Sequence, residues 1–160
     1  MNHYGKEVCT MIKRCKVRHL LIRAEKARGR LLQPLFHSIG LTFGQGHARI
    51  LDSLLARDHV TQKELADICH MDVTTMSRSL DRLEESGYLV RERDPGCRRS
   101  FHICLTEAGV DEAEKVHQIL EFADRQIWKG LSEEEMEQFC SSLEKICDNL
   151  ENCDTSKGPF

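Results

Sequence analysis

The sequence predicts a mainly α-helical protein that carries one small β-hairpin. Long stretches have apolar residues at intervals of three and four, the spacing of a helix with one buried face. Only 3 prolines interrupt the 160 residues. Between residues 88 and 105, two short segments instead alternate between apolar and polar residues around Asp94-Pro95-Gly96. That alternation about turn residues is the pattern of a hairpin.

Two helices are predicted before residue 61. The first runs from about Glu7 to His37 and is strongly basic, and Pro34 limits the regularity of its last turns. The basic side chains of this helix form either a solvated face or, alternatively, a surface that attracts phosphate or an anionic ligand. The second helix is predicted to run through about Arg57 from Thr42, because Thr42 and Gln45 have the spacing of a capping box.

Two short helices are predicted between Thr61 and Ser86. Thr61 and Glu64 form another capping box, and Asp72 is a suitable N-cap for the second helix of the pair. Gly87 suits the left-handed conformation that often follows a helix end. Two short helices joined by a turn of three or four residues form a helix-turn-helix.

The second helix of this pair has two chemically distinct faces. Met76, Leu80 and Leu83 form the apolar face. The opposite face offers short hydroxyls and arginines, which suit base edges and phosphates in the major groove of DNA. An ordinary helical hairpin with a solvated polar face is the alternative. The residues predicted to contact DNA are Thr74, Thr75, Ser77, Arg78 and Arg82.

The predicted hairpin directly follows this helix and carries Arg98 and Arg99 at its tip. A helix-turn-helix with a basic hairpin after its second helix is a winged helix-turn-helix. Arginines at such a tip suit the minor groove, whose negative potential attracts them. We therefore add Arg98 and Arg99 to the predicted DNA contacts.

The charge of the chain is unevenly distributed. The formal net charge is −3. Residues 1–106 nevertheless hold 18 Lys and Arg against 12 Asp and Glu, whereas residues 107–160 hold 5 against 14. A basic half that carries the helix-turn-helix and an acidic remainder are expected of a nucleic-acid-binding protein.

Two further helices are predicted after the hairpin. Thr106 caps the first of them, which Gly130 ends, and Ser132 with Glu135 forms a capping box for the second. The last helix has a coiled-coil seam, and a chain of this size has too little other apolar surface to cover both terminal helices. A partner helix is therefore expected. The seam residues are Met136, Cys140, Leu143, Cys147 and Leu150.

Linked motifs over residues 41–110 resemble the MarR family of bacterial transcriptional regulators. They are T-Q-K-E-L-A from Thr61, G-Y-L-V-R from Gly87, D-P-x-x-R-R from Asp94 and L-T-E-A-G from Leu105. The resemblance implies a homodimer that pairs through its first and last helices, and hence a palindromic site on double-stranded DNA. It divides the single domain 1–160 into dimerisation helices 1–37 and 107–152, a winged helix-turn-helix lobe 42–106 and a tail 153–160.

The resemblance also implies a ligand-responsive regulator, most often a repressor. Its small-molecule effector would bind between the dimerisation helices and the DNA-binding lobe, around His19, Arg23 and His47. A thiol- or metal-responsive regulator of the same fold, or a winged-helix module that binds proteins, is the alternative. The sequence names neither the effector nor the target genes.

Two of the 8 cysteines are redox candidates. Cys15 is flanked by basic residues, which lower a thiol pKa, and some MarR relatives sense peroxides through a first-helix cysteine. A structural role is the alternative, because the usual surroundings of that sensor are missing. In the family, the tip of the wing usually reads D-x-R-R or D-R-R, and its Asp supports a wing Arg. In this chain Cys97 stands at the position of that Asp. Either Arg99 is therefore held less rigidly, or Cys97 has a role of its own.

Other functional classes find little support. No C-x-x-C motif or zinc-finger spacing is present. His47 stands where zinc-sensing MarR relatives carry a metal ligand, but the register of His117 does not match their other ligands, so neither a metal site nor a cofactor is assigned. No catalytic motif indicates an enzyme. No apolar run reaches the roughly 20 residues of a membrane span, and no signal sequence appears, so a cytoplasmic protein is expected.

Overall fold

The computed structural model describes residues 3–44, 46–93, 101–154, 156 and 158, with side chains from Cys15 onward. Six helices and three strands lie within these residues: α1 His3–Ser38, α2 His47–Ala56, β1 Val60–Thr61, α3 Gln62–Ile68, α4 Val73–Glu85, β2 Leu89–Arg93, β3 Phe101–Leu105, α5 Glu107–Ile127 and α6 Glu133–Glu151. The predicted fold class, mainly helical with a small hairpin, is confirmed. None of the described helices is long and apolar enough to span a membrane.

The chain forms two compact units, Met1–Ala123 and Asp124–Phe160. The first holds a single apolar core between α1, α2, the helix-turn-helix and α5, in which Ile50, Leu51 and Leu54 are fully buried. In the second, the Trp128 and Phe139 rings pack edge to face with centroids 5.9 Å apart. No residue of α6 is buried, and Phe139 is half exposed.

The predicted helix starts were correct wherever a side chain caps the helix. Thr61 and Ser132 each accept a hydrogen bond from the backbone N–H of a glutamate three residues on, and that glutamate bonds back to the backbone N–H of the cap. The Thr106 hydroxyl accepts from the N–H of Gly109 at 3.0 Å. These caps satisfy N–H groups that the first turn of a helix leaves free.

The predicted start of the second helix at Thr42 was wrong. The helix begins at His47, after Gly44 and Gly46, whose φ angles of 90° and 79° are left-handed. A right-handed helix cannot pass through residues in that conformation. The predicted capping partner, Gln45, lies outside the described residues.

A third strand was not predicted from the sequence. β1 pairs with β3, Val60 opposite Ile103 and Thr61 opposite His102, so the sheet has the antiparallel order β1-β3-β2. A strand of two residues shows no alternation that a sequence pattern can detect. Its consequence is that β3, the returning strand of the hairpin, is the centre of the sheet.

Candidate nucleic-acid interface

The second helix of the motif, α4, has one buried face and one exposed polar face. Met76, Leu80 and Leu83 are at most 1% exposed. Asp72 caps the helix and accepts hydrogen bonds from the backbone N–H and the hydroxyl of Thr75, at 2.9 and 2.5 Å. Of the predicted contact residues on α4, Ser77 is half-buried, and the exposed ones are Thr74, Thr75, Arg78 and Arg82.

The turn between α3 and α4 is held from α2. Arg49 donates a hydrogen bond of 2.6 Å to the carbonyl oxygen of Cys69, one of the carbonyls left free at the end of α3. The Cys69 thiol is buried and lies 3.5 Å from the Ser53 hydroxyl, and burial raises its pKa. The turn therefore presents α4 in a fixed orientation, and Cys69 is a packing residue.

The base of the hairpin is tied to α4 by an arginine that sequence reasoning missed. Arg91 on β2 lies 2.6 Å from Asp81 and also contacts Glu84, both on α4. Two carboxylates beside the predicted DNA-contact residues are thereby neutralised, although they would otherwise repel phosphate. The sequence did contain a signal for this ion pair, because two acidic residues on α4 are followed by an arginine in the next strand.

The tip of the hairpin lies outside the described residues. Arg98, Arg99 and Cys97 fall in the range 94–100, so their predicted roles stay predictions. Cys15, the other redox candidate, lies on α1 and is half-buried. Its sulfur is 3.7 Å from a guanidinium nitrogen of Arg18.

A cavity of about 500 Å³ lies beside the helix-turn-helix, within the first unit. Its wall includes Arg28, which forms two hydrogen bonds of 2.9 and 3.0 Å to Glu25 and lies 5.5 Å from the Phe43 ring centroid. Arg49 lines it too, and so does Thr75, a predicted DNA contact. The cavity therefore reaches the first turn of α4.

The three residues proposed from the sequence for ligand binding do not line this cavity. His19 and Arg23 are exposed on α1. His47 is buried at the start of α2, its Nε2 has no hydrogen-bond partner among the described residues, and burial together with the nearby charge of Arg82 lowers its pKa. His47 is thus a neutral imidazole at neutral pH.

His117 links α5 to α2 through Asp52. Its Nδ1 lies 2.9 Å from Asp52 Oδ1, and its Nε2 lies 3.7 Å from Glu121. The hydrogen bond with Asp52 raises the pKa of His117 above its ordinary value. The protonated imidazole therefore stabilises the folded state. This stabilisation is complete at pH values below the unfolded pKa of about 6.5, and it is lost as the pH rises through the folded-state pKa.

We expect the loss of stability in His117→Gln to be larger at pH 5.5 than at pH 9. The measurement is the urea midpoint of both proteins across this range. Asp52→Asn is the matched partner, since a double-mutant cycle isolates the pair from other titrating groups. A coupling between the two positions that does not change with pH would contradict this role for His117.

The helix-turn-helix with an adjoining antiparallel hairpin defines a winged helix-turn-helix protein. Residues 39–100 match the sequence model of the MarR family. Apart from its first two residues, the matched segment lies within residues 41–110, which the sequence motifs singled out, and it agrees with the resemblance predicted from the sequence.

Two curated relatives are helix-turn-helix transcriptional regulators. The uncharacterized regulator YkoM of Bacillus subtilis is 36% identical over 66 residues, which are 41% of this chain and 43% of YkoM. The regulator BilQ of Clostridium symbiosum is 30% identical over 86 residues, 54% of this chain and 60% of BilQ. The chain therefore aligns with less than two thirds of the length of either relative.

Similar solved structures extend the likeness beyond the motif. The transcriptional regulator SlyA is 25% identical with a TM-score of 0.71, over 84% of this chain and 92% of SlyA. MarR of E. coli in its apo form is 25% identical with a TM-score of 0.61, over 80% and 94%. A mutant of E. coli MarR in complex with operator DNA, 22% identical, shares the fold with a TM-score of 0.70 over 91% and 99%.

Proposed function

We propose that this protein is a sequence-specific DNA-binding transcriptional regulator that acts as a homodimer. The exposed face of α4 is the observation that carries the proposal. It is fixed by the Asp72 cap and by the hydrogen bond of Arg49 to the turn, and it presents Thr74 and Arg78 to solvent. Among the described residues, none pairs with the Arg78 guanidinium, which is therefore free to meet a base or a phosphate.

The relatives support this choice of partner. A structure of E. coli MarR contains operator DNA, and a putative MarR-family regulator from Listeria monocytogenes was solved with a 26mer DNA. Both share the fold of this chain. In this chain, α4 would enter the major groove, and Arg98 and Arg99 would reach the minor groove or its phosphates.

Uncovered apolar surface on the terminal helices supports the homodimer. α6 buries none of its residues, and Phe139 and Leu150 are 50% and 72% exposed. On α1, Leu20 and Leu21 are each more than 40% exposed. Side chains of this size are expected to lie against another surface, and a second copy of the chain offers the same helices in two-fold symmetry.

A small-molecule effector that releases the protein from DNA, and hence repression, completes the proposal. The cavity supports it, because Thr75 belongs both to the cavity wall and to the predicted DNA-contact face. A ligand that fits the cavity in only one orientation of α4 would shift the population toward that orientation. Arg28 and Arg49 are the cationic groups of the cavity wall, whereas His19, Arg23 and His47, the ligand residues predicted from the sequence, lie outside it.

Selection of duplexes from a random pool, followed by binding titrations against salt, tests the proposal. We expect an enriched palindrome whose half-sites lie roughly 10 base pairs apart from centre to centre. Binding to it should resist unrelated competitor, and log K should fall linearly with log salt concentration. Failure to enrich any sequence, or an affinity indifferent to salt, would contradict DNA recognition, and an enriched single half-site would contradict the dimer.

A further inference from the structure

Cys104 is a buried thiol that does not belong to the apolar core. Ile103, its neighbour on β3, is a core residue, and side chains alternate between the two faces of a strand. Cys104 is only 3% exposed but projects to the other face of the sheet. There it lies beside its cross-strand partner Val90 and close to the polar side chains of Asp58, His59 and Glu92.

The groups around the thiol are ones that bind metal ions. Asp58 and His59, which immediately precede β1, each bring one ligand atom so that carboxylate oxygen, imidazole nitrogen and sulfur all lie within 4.8 Å of one another. Asp58 Oδ2 and His59 Nδ1 are 3.3 Å apart. Ligand atoms around a tetrahedral zinc ion, with bonds of about 2.0–2.3 Å, are separated by about 3.3–3.8 Å, so the cluster needs only a small contraction.

The backbone constrains two of these ligands. The N–H of Leu105 donates to Asp58 Oδ1 at 3.1 Å, which fixes the carboxylate and leaves Oδ2 beside the histidine. His59 has a left-handed φ of 57°, an uncommon conformation for a residue other than glycine. A hydrogen bond that orients a ligating carboxylate is a regular feature of metal sites.

Negatively charged carboxylates lie around the Cys104 sulfur. Burial raises the pKa of the Cys104 thiol to about 11, and the charges of Glu92 and Asp58 contribute to the rise. The thiol also hydrogen-bonds to Glu92, on the adjacent strand β2. The Glu92 carboxylate therefore adds negative charge beside the cluster, which favours a cation.

We propose that Asp58, His59 and Cys104 form a site for a divalent metal ion of the zinc class at the base of the hairpin. A thiolate, an imidazole and a carboxylate are ligands that Zn²⁺ accepts in tetrahedral geometry, with water as the fourth. On binding, the Cys104 thiol gives its proton to the buffer, and the sulfur lone pair forms the bond to the metal. The ion would join the α2–β1 connection to β3, the central strand of the sheet.

Titration with Co²⁺, a spectroscopic substitute for zinc, tests the site. The protein is a chain in which the exposed Cys140, Cys147 and Cys153 are replaced by serine, so that these thiols do not bind the ion. We expect one Co²⁺ per chain to produce the near-ultraviolet sulfur-to-cobalt charge-transfer band, with release of a proton to a weak buffer. Zn²⁺ should displace the cobalt and remove the band.

Three variants assign the band to the cluster. Cys104→Ser should abolish it, whereas the matched control Cys69→Ser, at another buried thiol, should keep it. His59→Ala alters an imidazole whose side chain is 66% exposed, so the fold should survive, and affinity should fall at least about tenfold. The absence of a band in the parent chain, a band that persists in Cys104→Ser, an unchanged affinity in His59→Ala or a failure of Zn²⁺ to compete would overturn the proposal.

Discussion

Replacement of Gly109 by alanine should lower the free energy of unfolding by about 3 kcal/mol, the upper part of the usual range for overpacking. A Cβ at this position would lie 1.8 Å from the carbonyl oxygen of Tyr88 and 2.8 Å from its carbonyl carbon. Both are backbone atoms, and the same carbonyl accepts a hydrogen bond of 3.1 Å from the N–H of Thr106. Relief of the clash would therefore move the start of α5 away from the start of β2.

A second glycine within a helix provides the matched control. Gly29 lies inside α1, where a Cβ would meet only the Phe43 ring edge at 3.5 Å, an ordinary contact. Gly29→Ala should stabilise the protein by up to about 1 kcal/mol, since alanine is the better helix former. Urea unfolding of both variants measures the difference. Equal effects of the two substitutions would show that helix propensity, not the close approach to Tyr88, decides the result.

Arg78→Ala should weaken binding to the selected DNA site by about 1–3 kcal/mol, which is roughly a 5- to 150-fold loss of affinity. The reason is that Arg78 is exposed on α4, one turn after Thr74, with its guanidinium unpaired among the described residues. If Arg78 reads a base, discrimination between the preferred site and a site altered at one base pair should also fall. Fluorescence anisotropy with both duplexes measures the two effects.

The control for Arg78 is Lys145→Ala on α6, an exposed residue whose loss changes the net charge by the same amount. Its affinity for DNA should stay close to that of the parent protein. An equal loss in both variants would mean that Arg78 acts only through overall charge. An unchanged affinity in Arg78→Ala would remove this residue from the interface.

Local signals made the helix-turn-helix predictable. The Asp72 and Thr61 caps depend on residues within three positions, and the apolar stripe of α4 has a helical period, so neither needs knowledge of the rest of the chain. The pairing of Arg91 with Asp81 and Glu84 joins a strand to a helix, and although the charges are visible in the sequence, they do not by themselves say which side chains will meet. The sequence therefore predicted the elements better than the contacts between them.

The cavity and the thiol cluster show the same limit. Arg23 and Arg28 both belong to the basic stretch of α1, but only Arg28 lines the cavity, because the packing of α1 on the core decides which arginine turns inward. Likewise, Asp58 and Cys104 are distant in sequence and meet only through the pairing of β1 with β3. Spacing rules for metal motifs search nearby residues and miss such a cluster.

Thr61 has two roles in the fold, and together they connect β1 to α3 without a flexible linker. Its backbone pairs with His102 in the sheet, while its side chain caps the next helix by accepting from the N–H of Glu64. No residue stands between β1 and α3 to absorb a change in direction. Because β1 pairs with β3 of the hairpin and continues directly into α3, we expect the hairpin and α3 to reorient together. A displacement of the hairpin would then be transmitted to α3 without a flexible linker between them.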